Sequence, residues 1–132
     1  MTALVYDMRM TEHKNLFQSH PERPSRVTRP IRLLKDSGTL ARVRVVPSRE
    51  VTKEEVLWCH KEELWDKLQN LPNMSPTELY CFGAQHDSLY ACNESFQSAK
   101  LSAGSLLSVT EEVLSGRVRY AIIRTPICIF IY

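Results

Sequence analysis

The sequence predicts an α/β fold built on a small, mostly parallel sheet. Three apolar segments, at 2–6, 41–46 and 119–124, have strand composition, and helix-patterned stretches with start and stop signals separate them. Strands that alternate with helices are joined by crossovers, so their partners run parallel and both sheet faces need cover. A chain of 132 residues fits one domain, and about two thirds of its unfolded surface can be buried, which supports a proper core. Apolar residues at 43% and charged residues at 24% exclude disordered and fibrous classes.

TALVY, residues 2–6, reads as a buried first strand. In HPERPSRVTRPIRLLKDSG, Val27, Ile31 and Leu34 share one helical face and Gly38 supplies a stop. Pro30 lies within that helix, where the missing donor and ring clash cost about 3 kcal/mol unless the helix starts there or kinks. ARVRVV, 41–46, is the second strand, ended by Pro47. Thr52 and Glu55 have capping-box spacing and open a short helix through Val56, Leu57 and Cys59. A helical rhythm follows through Leu64, Leu68 and Leu71, and Ser75, Pro76 and Glu78 repeat the start signal.

CFGAQHDSLYAC, 81–92, has no helical period and reads as a loop. Asn93 is placed to cap the strongest helix, with Phe96, Ala99, Ala103, Leu106, Leu107, Thr110 and Leu114 as its inner face. Ser102, Gly104 and Ser105 leave room for another element to approach closely. Ser115 and Gly116 end this helix, and RYAIIR is the third strand.

Residue chemistry alone gives no catalytic constellation. The net charge of +2 and the absence of interleaved aromatics argue against direct nucleic-acid binding. The apolar runs are too short to span a membrane. Without a leader-like start or a CxxC pair, a reduced, cytoplasmic setting is expected, with a nuclear pool allowed. Cys59 reads as core and His60 as surface. Cys81, His86 and Cys92 are too irregularly spaced for zinc. His86, Asp87 and Ser88 are adjacent and cannot form a relay, and no GxSxG elbow or glycine-rich phosphate loop is present. HPERPSR is read either as loop and cap chemistry or as a rim loop that touches ligand.

TALVYDMRM, SHPERPSRV, LLKDSGTL, HDSLY and AKLSAGSLLSVTEEVLSGRV together resemble the start of a zinc-dependent histone deacetylase domain. The likeness is to the class IIb branch, which holds the tubulin and polyamine deacetylases. It implies an arginase-like parallel sheet flanked by helices, present here as an N-terminal portion. Residues 1–126 would be that portion and 127–132 a divergent apolar tail.

In that family, zinc held by an Asp-x-His pair and a second Asp activates water, paired histidines move protons, and a tyrosine stabilises the oxyanion. Relatives continue the AIIR strand into Pro-Pro-Gly-His-His, whereas here Ile127, Cys128 and Ile129 follow Pro126. A thiol near pKa 8.5 cannot replace an imidazole relay. The resemblance therefore implies no catalytic residue, no metal ligand and no bound zinc in this chain, which is expected to be inactive alone. It assigns His20 and Pro21 to a first substrate-contacting rim loop. Ser88 falls in a second loop, where it would accept a hydrogen bond from the substrate lysine amide, with Asp87 orienting it. The implied partners are acetylated lysine of histone or tubulin, or acetylpolyamine. An alternative is a non-catalytic interaction module, pairing through an exposed sheet edge with a full-length deacetylase or a cytoskeletal protein.

Overall fold

The computed structural model describes residues 1–125. A three-stranded parallel sheet is formed by β1 (Thr2–Val5), β2 (Arg44–Val45) and β3 (Tyr120–Ile123) in the order β2-β1-β3. Ala3 and Leu4 stand opposite Arg44 and Val45, while Thr2 to Val5 pair with Tyr120 to Ile123. Between the strands lie α1 (Ser25–Asp36), α2 (Lys53–Leu57), α3 (Glu62–Leu68), α4 (Pro76–Ala84) and α5 (Ser95–Leu114).

β1 is central and its alternating side chains serve two cores. Ala3 and Val5 join Val46, Val109 and Val118 on the α5 side, whereas Leu4 joins Val27 and Ile31 on the α1 side. A strand covered on both faces needs apolar residues at every position, which is why TALV has no polar alternation. A third cluster, Leu68, Leu71, Leu79, Ala91, Phe96 and Ala99, fastens α3 and α4 to the first half of α5. β3 is an edge strand with Tyr120 and Ile122 exposed.

The capping boxes at Thr52–Glu55 and Ser75–Glu78 form as expected, each with reciprocal bonds to backbone N–H groups. α1 runs unbroken through Pro30 from Ser25, so the proline marks neither a start nor an end. Val27 and Ile31, on either side of it, are both buried and hold the two halves on one face.

Several expectations are corrected. The second strand is two residues long: Thr39–Arg42 forms a 3₁₀ turn after Gly38, whose φ of 69° turns the chain, and Val46 N–H extends the ladder to the Leu4 carbonyl. Residues 81–84 are helical and complete α4, since the box at Ser75 propagates through Gly83 without an apolar period. Gly83 is required there, because a Cβ would stand 2.9 Å from the Leu89 carbonyl oxygen. Asn93 does not cap α5. Its amide donates instead to the carbonyls of Leu71, Pro72 and Met74, and Glu94 occupies the cap position. Cys59 is exposed and His60 half-buried, because α2 ends before them.

The inner face of α5 also differs from the apolar stripe. Ser95, Ser98, Ala99, Ser102, Gly104 and Ser105 are buried, while Leu106 and Leu114 point outward. The small residues admit the chain at Arg49–Val51, whose backbone lies 2.3 to 2.5 Å from where a Gly104 Cβ would be. Pro126, Ile127, Cys128 and Ile129 lie outside the described residues. No described helix is long and apolar enough to cross a membrane.

Candidate functional site

Two loops meet above the carboxyl ends of the strands. The first leaves β1 and leads into α1. The second, 85–94, precedes α5, whose N-terminal half lies at the same end, since Ser102 Oγ is 2.6 Å from Thr125 Oγ1 beyond β3. In open parallel sheets this is where crossover loops converge and ligands bind.

His20 and Ser88 form the junction. His20 Nδ1 accepts the Glu22 N–H at 3.0 Å, and His20 Nε2 faces Ser88 Oγ at 3.4 Å. Tyr90 holds the loops together from beneath, because its hydroxyl donates to the Glu22 carbonyl at 3.0 Å. Its ring meets His20 edge-on, with centroids 4.9 Å apart, and stacks on His13 at 4.4 Å and 9°. Glu22 is thus bonded through both backbone groups, and its carboxylate pairs with Arg26 one turn into α1.

Ser88 has φ of 55°, and among the described residues it is the one non-glycine in the left-handed region. An L residue costs about 1 kcal/mol there, so the surrounding contacts hold it.

Below the rim is a small polar floor. His13 Nδ1 lies 2.8 Å from Ser95 Oγ, which accepts the Cys92 N–H at 2.8 Å. Burial lowers the His13 pKa to about 4, with His20 adding repulsion, so the ring is neutral near pH 7. Burial also pushes the Cys92 thiol and the Tyr90 phenol upward, keeping both protonated. Together they link the first loop to the start of α5 through hydrogen bonds.

A cleft of about 300 Å³ opens beside Ser88 and His20, walled by Phe17 and Tyr80 in edge-to-face contact at 5.4 Å and floored by Leu79 and Tyr90. Its apolar lining with a few polar groups at the mouth suits an organic chain rather than an ion. Among the described residues no three His, Cys, Asp or Glu side chains converge. Cys92 Sγ and His13 Nδ1 approach to 3.9 Å but offer only two donors, already engaged with Ser95.

Of the residues singled out from the sequence, His20 and Ser88 are brought together from 68 positions apart. Pro21 and Asp87 are exposed beside them. Sequence reading missed His13, Phe17, Tyr80 and Tyr90. The one available signal was HDSLYAC, where a tyrosine two residues from a serine and a cysteine interrupts an otherwise polar loop.

A parallel sheet flanked by helices, with an aromatic-floored rim at its carboxyl edge, defines an α/β domain. The model of the histone deacetylase domain matches residues 20–127. The chain is 35% identical over 136 residues to histone deacetylase clr3 of Schizosaccharomyces pombe, covering 95% of this chain and 20% of that protein. It is 31% identical over 130 residues to polyamine deacetylase HDAC10 of Danio rerio, covering 95% and 19%. The crystal structure of the HDA15 HD domain superimposes with a TM-score of 0.79 at 27% identity, over 92% of this chain and 34% of that one. The chain belongs to the histone deacetylase family and matches an N-terminal portion of its domain. It spans about a fifth of the length of the curated relatives it matches.

Proposed function

We propose that these residues supply the substrate-contacting rim of a class IIb type lysine deacetylase and carry none of its hydrolytic chemistry. The observation that carries this reading is the His20–Ser88 junction above the strand ends, 3.4 Å across and locked by Tyr90. His20 and Pro21 form one side, Ser88 and Asp87 the other, and the aromatic cleft beside them accepts an apolar chain such as an acylated lysine or polyamine. In the family, zinc supplies the Lewis acid that activates water. Among the described residues no three His, Cys, Asp or Glu side chains converge to hold it. Thr125, Pro126, Ile127, Cys128 and Ile129 stand where relatives carry Pro-Pro-Gly-His-His, which supports contact without proton transfer.

Calorimetry with an acetyl-lysine peptide and its unmodified twin tests this. Preferential binding of the acetylated peptide, weakened by His20→Ala, is expected, with no acetate released and no stoichiometric zinc in the purified chain. Release of acetate at low protein concentration would refute the absence of chemistry, and equal binding of both peptides would refute the rim.

A second reading is favoured by β3, an edge strand with Tyr120 64% and Ile122 46% exposed. Such an edge can pair with a full-length deacetylase or a cytoskeletal protein as a non-catalytic module. A strictly monomeric chain that captures no full-length relative in a pull-down would remove it.

A further inference from the structure

A second cavity lies on the other side of α4 from the rim. It holds about 650 Å³, against about 300 Å³ for the rim cleft, and is walled by α3, α4 and the turn that precedes α3. Tyr80 and Ala84 face the rim cleft, and Phe82, about half a helical turn from each, faces this groove.

The floor of the groove is apolar. Leu64, Met74 and Phe82 are half-buried and pack against the Leu68, Leu71 and Leu79 cluster, so each keeps one side toward the groove. Its charge follows from how α3 divides its side chains. Glu62 and Asp66 pair with Lys53, whereas Lys61 and Lys67 line the groove and enter no ion pair among the described residues. Glu63 is the one carboxylate on the lining, which leaves ammonium groups in excess there. An apolar trough with spare ammonium groups suits a ligand that joins an apolar chain to an anionic end. Size decides between a chain and a helix: two turns of α-helix, about 10 Å wide and 11 Å long, occupy roughly 850 Å³, more than the groove holds.

We propose that the groove between α3 and α4 binds a fatty acid, its chain lying along Leu64, Met74 and Phe82 and its carboxylate at Lys61 and Lys67. The site is separate from the rim and stands whether or not the rim contacts acyl-lysine.

Cys59 supplies the assay. Its exposed thiol lines the groove, while the exposed thiol of Cys81 lies on α4 outside both cavities. Maleimide labelling of the full chain, read by peptide mass, is expected to slow severalfold at Cys59 in saturating decanoate and to stay unchanged at Cys81. Equal slowing at both thiols, or none at Cys59, would overturn the proposal. Lys61→Glu combined with Lys67→Glu is expected to weaken decanoate about tenfold, the worth of one charge-assisted hydrogen bond, whereas Lys61→Arg with Lys67→Arg retains it. Both lysines are exposed, so the charge reversal leaves the core intact. Protection of Cys59 by decylammonium as strong as that by decanoate would show that charge plays no part. Protection by a glutamate-rich amphipathic peptide but not by decanoate would make the groove a protein-docking surface. Either result would overturn the fatty acid.

Discussion

β1 and the first rim loop are neighbours in sequence, yet opposite physics holds them. Ala3, Leu4 and Val5 are almost wholly buried among aliphatic side chains on two faces, so apolar area and close packing fix their place. Eight residues later the chain reaches His13, and from there to Glu22 it is held by rings and single hydrogen bonds: His13 on Tyr90, Tyr90 on Glu22, Glu22 on His20. The first kind of support tolerates no change of volume. The second rests on directional contacts, each of which is weakened when one proton or hydroxyl is removed. That division lets a rigid frame present a rim held by a few polar contacts.

The largest effect should come from breaking the frame. Gly104→Ala drives a methyl into the Arg49–Val51 backbone and is expected to lower stability by about 3 kcal/mol, seen as a fall in the urea midpoint.

Acid should strike the rim first. The folded pKa of His13, about 4, lies below the ordinary 6.5, so the unfolded chain binds its proton at higher pH. Its contribution is complete above pH 6.5 and is lost as pH falls toward 4, roughly 3 kcal/mol in all. Asp7 and Glu55, each held at about 2 by its arginine partner, Arg9 and Arg49 respectively, lose their contribution only below the ordinary carboxylate range. Urea midpoints at pH 7 and pH 5 should therefore differ for the wild type and converge in His13→Asn. An unchanged difference would assign the acid sensitivity elsewhere.

A smaller effect is expected from Tyr90→Phe, which keeps the rings and removes the bond to Glu22. A loss of about 1 kcal/mol should appear in the same assay. The smallest has the opposite sign: Ser88→Gly relieves the left-handed backbone and should leave stability unchanged or raise it by up to about 1 kcal/mol, while Ser88→Ala brings no such relief.

The frame was more legible in sequence than the rim, for a physical reason. Strands buried on both faces, capping boxes and a glycine stop are local patterns, and TALV, Thr52–Glu55, Ser75–Glu78 and Gly116 each showed where an element lies or turns. The face of α5 was misread because its burial depends on small residues that let a backbone approach, so Ser98 and Ser105 lie inside while Leu106 lies outside. The rim joins His20 to Ser88 and His13 to Ser95 across 68 and 82 positions, and no local period records such pairings. Only the resemblance placed His20 and Ser88 near one another. It named neither Tyr90 nor His13, which hold them.

Amide hydrogen exchange in wild type and Tyr90→Leu tests most directly whether one ring unites the two loops. The amides of Glu22 and Cys92, each bonded in its own loop, are expected to exchange faster together in the variant, with those of Leu4 and Val5 unchanged. Faster exchange at only one loop, or equal acceleration through β1, would contradict a rim held by Tyr90 on an independent frame.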